Sequence, residues 1–213
     1  GLSQGFNRLL LNSFIVTFSS TIICLLAAFP AAIALSQPKF RKRKFISSWI
    51  LSTYMFPPIV AIIPIFIFAG KINAIDTYPV LAIPYAAFNL PIVIWILRSS
   101  IEQIPKEIEE AALVDGANGW QAFRHITLPL LMPFIVVALI IRCIDALKAF
   151  DTIYVITQGG PGSASETINI FLYLQAFAFY NVGYASAVVV VFFVIILALA
   201  ALLLWTRQRV KMT

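Results

Sequence analysis

Three stretches of the chain, 9–35, 45–70 and 77–97, run without a single Asp, Glu, Lys or Arg. Crossing a hydrocarbon core takes about 20 helical residues, so each is long enough to span a bilayer. Two further apolar stretches follow, roughly 133–156 and 183–205, and the first of them carries Arg142, Asp145 and Lys148. The pattern predicts five spans. They should be helices, because lipid offers no partner to backbone N–H and C=O groups and a crossing segment must satisfy them internally. The alternation of barrel strands is absent from these continuous apolar runs, and no internal repeat is visible. The expected fold class is all-α: a polytopic transmembrane helix bundle, forming a single domain over 1–213.

The polar connections differ in character. Residues 73–77 make a short turn, 98–128 is the longest polar segment, and about 157–182 joins spans four and five. Pro30, Pro57, Pro58, Pro64, Pro84 and Pro91 fall inside spans, where each removes a backbone donor and tends to kink its helix. Such kinks serve either ordinary packing or the opening of a cavity through the bundle. Gln158 to Gly162 is a turn by composition. After it, 167–180 is uncharged and rich in aromatics, which reads as a short helix lying at the outer interface, where Tyr rings prefer to sit. It acts as an anchor or as a docking surface for an external partner.

Composition agrees with a membrane protein. The chain is 61% hydrophobic and 11% charged, against about 25% charged in a soluble domain. Its net charge of +6 invites a nucleic-acid reading, but position argues against it. Lys39, Arg41, Lys42, Arg43 and Lys44 sit in the loop after span one. Arg98, Lys106 and Arg124 flank the long polar segment, and Arg207, Arg209 and Lys211 follow span five. All three regions lie on one side of the predicted topology, which the positive-inside rule makes cytoplasmic. The C-terminus is then cytoplasmic and 157–182 external. No nucleic-acid partner is implied. The sequence opens on Gly1 rather than Met, on the external side, which implies an earlier segment with one more helix.

Residues 101–133 depart from the rest. Five acidic residues gather here, Glu102, Glu107, Glu109, Glu110 and Asp115. Pro105 suits a first helical turn, and Gly116 can take the positive φ that ends a short helix. Asn118 and Gln121 have the spacing of a capping box for a second short helix, with Trp120 and Phe123 as its apolar residues and Pro129 and Pro133 marking the return to the membrane. Ile108, Ala111 and Ala112 share a face of the first helix. Acidic helices bind anionic leaflets poorly, whereas an apolar stripe flanked by Glu110 and Asp115 fits the groove of a protein partner.

Glu110-Ala111-Ala112, three residues, Gly116, nine residues, then Ile126-Thr127-Leu128-Pro129 resembles the EAA loop of binding-protein-dependent ABC transporter permeases. The family pattern is E-A-A-x₃-G-x₉-I-x-L-P, and every fixed position is met. Residues 150–161 resemble the FD-x-I-Y-V-x-T-x-G-G-P segment of the maltose and multiple-sugar branch. The resemblance implies an inner-membrane permease of an ATP-driven importer. Its expected partners are a cytoplasmic ABC ATPase dimer, a second permease subunit, an extracytoplasmic solute-binding protein and the bilayer. Cargo would be a carbohydrate, polyol or glycerophospho-compound. Glu110, Ala111, Ala112, Asp115, Gly116, Ile126, Leu128 and Pro129 would couple to the ATPase. Gly159, Gly160, Pro161, Phe171 and Tyr173 would help dock the binding protein. ATP and Mg would sit on the ATPase, leaving this chain with no cofactor and no catalytic role. Five spans here, against six in the core fold of that branch, match the inference of a preceding helix.

Arg142, Asp145 and Lys148 are spaced by three and share a slowly drifting helix face. Charge inside a membrane faces the bundle interior or a wet cavity, so an Arg142–Asp145 ion pair lines the path or locks helices together. Phe150, Asp151 and Tyr154 complete the candidate path, with the rings able to stack on a sugar face. An enzyme is disfavoured. His125 is the sole histidine and lies in the polar loop, and G-x-x-x-x-G-K-[ST] is absent, so ATP is not bound by that route. Cys24 and Cys143 lie in apolar spans with no metal or disulfide spacing. A permease for another solute class, or a secondary transporter or channel subunit, is the alternative. The acidic loop, useless to a porter working alone, separates the two.

Overall fold

A computed structural model describes residues 2–38, 40–75, 77–156 and 166–211. All regular structure among them is helical: α1 (Leu2–Ser36), α2 (Arg43–Thr53), α3 (Pro58–Lys71), α4 (Tyr78–Ile101) and α5 (Lys106–Val114) come first. Then follow α6 (Gly119–Leu147), α7 (Asp151–Ile156), α8 (Ile168–Ala178) and α9 (Val182–Lys211). α1, α4, α6 and α9 are each long and apolar enough to cross a membrane. The count rises to five, as the apolar pattern predicts, when α2 and α3 are taken as one bent span.

That bend is sharper than a kink. The axes of α2 and α3 diverge by 80°, and neither helix alone reaches the length of a crossing. The cause is the tandem Pro57-Pro58. A residue before proline is driven out of the helical region, and Pro57 adopts φ −61°, ψ 120°. Pro58 then starts α3, where its missing N–H does no harm.

Span four also differs from expectation at both ends. The short helix expected at 118–126 is the first turn of α6 itself, continuous with the crossing through a π-helical turn at Phe123–Thr127. Pro129 removes the N–H that would bond to the His125 carbonyl, and the helix widens instead of stopping, with the Leu128 N–H reaching back to the Phe123 carbonyl. At its far end α6 stops at Leu147, not near 156. The Lys148 backbone turns out of the helix (φ −86°, ψ 0°), and α7 begins at Asp151.

Small residues set the core. Cys24, Ala28 and Ala32 of α1 pack without exposure against Ala86, Val93 and Leu97 of α4. Small side chains let membrane helices approach closely, which is where their dispersion energy comes from. A second cluster joins Val16, Ile62, Leu81, Ile153 and Ile170, tying the bent pair and α7 to α1 and α4. A third holds Leu9, Leu147 and Ile168 against Val188 and Phe192 of α9. The expectation that 167–180 lies along the outer interface is corrected in part. Thr167, Ile168 and Ile170 are buried, the Ile168 N–H donates to Ser13 Oγ at 3.2 Å, and Asn169 Nδ2 donates to the Leu147 and Ala149 carbonyls at 2.7 and 3.1 Å. The last contact satisfies carbonyls freed where α6 ends.

Ala28→Leu should force α1 and α4 apart and lower stability by about 1–3 kcal/mol, which unfolding by denaturing detergent would measure.

Candidate functional site

Two regions carry chemistry: a cavity in one flank of the bundle, and the segment between α4 and α6.

The cavity, of about 1140 Å³, opens between α2, α3, α4 and the break joining α6 to α7. Both helix interruptions border it. Trp49 and Tyr54 come from the α2 side, Tyr85 and Asn89 from α4, and Asp145, Lys148 and Asp151 from the break. Asn89 Nδ2 donates to the Tyr85 carbonyl at 3.0 Å.

Arg142 and Asp145 do form an ion pair, Nη1 to Oδ2 at 2.9 Å, but the two side chains are 2% and 48% exposed. Asp145 lines the cavity, whereas Arg142 lies behind the wall and does not. The guanidinium sits over the Tyr85 ring, 5.3 Å from its centroid. Tyr85 Oη donates to the Asp145 backbone carbonyl at 2.9 Å and lies 3.2 Å from Oδ2. Asp145 therefore lines the cavity while its contacts with Arg142 and Tyr85 lock α6 to α4. A charge buried this deeply is tolerated only with a partner, and Arg142 Nε and Nη2 have none among the described residues. Asp145 and the Tyr85 ring supply its compensation.

Phe150 and Asp151 line the cavity, while Tyr154 stands outside its lining. Tyr154 stacks on Phe150 at 5.2 Å and meets Tyr173 edge-on at 5.0 Å, and Tyr173 continues to Phe177 at 5.3 Å. Trp49, Tyr54, Tyr85 and Asn89 were not legible as site residues. Asn89, an amide inside a charge-free span, was the available signal.

Phe171 and Tyr173 are half-buried, Phe171 against Tyr184 at 6.1 Å. The rings most available on this face are Phe177, Phe179 and Tyr180, the last placed by a positive φ of 56°. Gly159, Gly160 and Pro161 lie outside the described residues.

At the other end, α5 closes in a two-bond C-terminal motif. The Ala117 N–H donates to the Ala112 carbonyl at 2.9 Å and the Gly116 N–H to Leu113 at 3.2 Å, with Gly116 at φ +93°. That geometry calls for glycine. The Asn118–Gln121 capping box is present with both bonds made, at 2.8 and 2.9 Å. Trp120 and Phe123 meet at 5.5 Å, and Phe123 rests on Phe29 of α1 at 6.0 Å. Glu110, Ala111, Asp115 and Gly116 are exposed, Ala112 is half-buried, and Ile108, Leu113, Val114 and Trp120 present apolar surface around them. Ile126 and Leu128 are half-buried and Pro129 is exposed where α6 widens.

Residues 11–212 match the profile of the family described as binding-protein-dependent transport system inner membrane component. The chain belongs to this family.

Among the inner membrane components it resembles is the trehalose/maltose transport system permease protein MalF of Thermococcus litoralis. That protein is 48% identical over 93 residues, covering 44% of this chain and 30% of MalF. The sulfoquinovosyl glycerol transport system permease protein SmoH of Agrobacterium fabrum is 30% identical over 176 residues, covering 83% of this chain and 61% of SmoH. The chain thus spans less than two thirds of the length of these curated relatives. A bacterial alginate ABC transporter, solved in complex with an alginate pentasaccharide-bound periplasmic protein, shares the fold. It matches with a TM-score of 0.79 at 18% identity, over 98% of this chain and 80% of that one.

Asp145→Asn should leave Arg142 buried without a countercharge and lower stability by about 3 kcal/mol. The double change Arg142→Met with Asp145→Asn should recover most of that loss. Unfolding of the three variants in detergent measures both.

Proposed function

We propose that this chain, as one permease domain over 1–213, forms half of the translocation path of an ATP-driven importer. The cargo is a carbohydrate, polyol or glycerophospho-compound handed over by an extracytoplasmic binding protein. The carrying observation is the segment between α4 and α6. It is short, acidic and glycine-capped, it exposes apolar side chains, and it joins the foot of a crossing helix without slack. Val114 is 86% exposed, and Trp120, which touches Phe123 with one part of its ring system, is still 66% exposed. Exposed apolar side chains on a short amphipathic segment are what a groove in another protein takes up.

In this reading Glu110, Ala111, Ala112, Asp115 and Gly116 seat in a cytoplasmic ABC ATPase dimer, which holds ATP and Mg and does the hydrolysis. Ile126, Leu128 and Pro129 shape the foot of α6. A second permease subunit, a sibling or a copy, closes the cavity flanked by Trp49 and Tyr54. The binding protein docks on the opposite face near Phe177, Phe179 and Tyr180, with 159–161 close in sequence. The C-terminus then lies in the cytoplasm of a bacterial or archaeal cell. Names of relatives support a saccharide: trehalose/maltose for one, sulfoquinovosyl glycerol for another. Coupling requires the segment to bind two ATPase states with different affinity, since an equal grip shifts no equilibrium.

Purified in mild detergent with its co-expressed neighbours, the chain should carry a stoichiometric ATPase. Gly116→Val should abolish uptake while hydrolysis persists. A Cβ there meets no atom within 4 Å, so the change acts by backbone strain, about 1–2 kcal/mol, and not by a clash. Glu110→Lys should do the same by charge. Coupled uptake in both variants, or transport by the chain alone, would overturn the reading.

A further inference from the structure

The charges around the cavity are ordered in a way that bears on which saccharides pass, an inference that rests on the importer reading above. Along the wall run Asp145, Lys148 and Asp151, acid, base and acid at intervals of three, all lining the same space. Lys148 is the one cation among the described lining residues. The other cation close by, Arg142, is 1% exposed and commits Nη1 to Asp145 Oδ2. It has no surface to offer a cargo.

We infer that this half of the path selects neutral saccharides and polyols and rejects anionic ones. A sulfonate, carboxylate or phosphate drawn to Lys148 shares the cavity with Asp151, whose charge opposes it, while Asp145 is already balanced by Arg142 at 2.9 Å. In a partly wet cavity each like charge at close range costs a significant fraction of what the ammonium contributes. A neutral polyol meets no such conflict. Its hydroxyls donate to Asp145 and Asp151 and accept from Lys148, and a hydroxyl does both at once. Asp145 is well suited to the task, because Arg142 and Tyr85 engage Oδ2 from behind while the side chain stays about half exposed to the cavity. Around this polar strip stand exposed faces of Trp49 and Tyr54, platforms for the apolar face of a sugar ring. Among the three cargo classes of the importer reading, the glycerophospho-compounds are thereby excluded.

The relatives divide along the same line. One carries trehalose and maltose in its name, neutral disaccharides, and another carries sulfoquinovosyl glycerol, a sulfonate. The two classes provide the probes. The assembled complex, with its ATPase and binding protein, is reconstituted in proteoliposomes. ATP-dependent uptake of labelled trehalose and maltose is compared with that of sulfoquinovosyl glycerol and glycerol 3-phosphate at saturating concentration. Wild type should favour the neutral pair. Asp151→Lys, which makes the strip acid, base, base, should shift the neutral-to-anionic ratio toward the anions by roughly tenfold. Lys148→Glu should shift it the other way. Both side chains are exposed, so neither change disturbs the core. Anionic uptake by wild type as fast as neutral uptake would overturn the inference and leave the importer standing. So would a ratio that neither variant moves, since selection would then reside in another component. Absence of ATP-dependent uptake of these probes and of a wider panel of monosaccharides, disaccharides and polyols would remove the importer reading, and this inference with it.

Discussion

A chain that crosses lipid has to keep its backbone hydrogen bonds inside the segment, and every interruption must be covered by protein or open onto water. Two interruptions in this bundle obey that constraint in different ways. Between α2 and α3 the break follows from proline chemistry, and it borders the cavity. Between α6 and α7 the freed carbonyls of Leu147 and Ala149 are taken up by the Asn169 amide, so the break is stabilised from the side away from the cavity. The cavity exists because two helices stop where a continuous crossing would have filled the space. The residues that line it, Tyr54, Lys148 and Asp151 among them, are the ends that those stops expose.

The Arg142–Asp145–Tyr85 cluster holds that arrangement open. Arg142 is buried on α6, Tyr85 belongs to α4, and both bear on one carboxylate. Replaced by apolar packing, the same helices could close on each other, since buried ion pairs add little stability over well-packed hydrophobes. What the cluster contributes is position. It fixes the distance between α4 and α6 at the level of the cavity and leaves an acceptor facing the water.

Legibility in the sequence followed the range of the interactions. Crossings one, three and five could be read directly, because a run of 20 or more residues without charge admits one interpretation. Gly116 and the Asn118–Gln121 box were readable because caps are local chemistry, decided within four residues. Asp145, Phe150 and Asp151 stood out as charge or motif in an apolar setting. The depth of the α2–α3 bend was not legible: one proline gives a kink, and only the tandem, with Pro57 held extended, gives a break of 80°. Nor was the fate of Pro129, since a helix that loses a donor can stop or widen, and neighbours such as Phe29 against Phe123 decide. Trp49, Tyr54 and Tyr85 were hidden for a related reason. Aromatic residues abound in membrane spans, and these three become a site only when the bend brings α2 alongside α4.

The same helix that widens at its foot gives the proposed coupling a mechanical route. α6 runs unbroken over 29 residues, about 43 Å at 1.5 Å per residue, with Trp120 at one end and Asp145 at the other. The capping box leaves no slack between α5 and α6, so force applied to Glu110 or Gly116 reaches the helix and not a loose loop. The π turn at Phe123–Thr127 is the softer point along this rod, because its hydrogen bonds are longer-range and fewer, and the Phe29 contact lies beside it as a fulcrum on α1. A tilt there displaces the cavity wall by an amount that grows along the helix. Tyr85 carries α4 with it through the Asp145 contact, so the wall moves as a pair of helices while the α1–α4 seam, closed by Ala28 and Ala32, limits how far. On this geometry the segment proposed to meet an ATPase and the carboxylate proposed to meet the cargo are two ends of one lever.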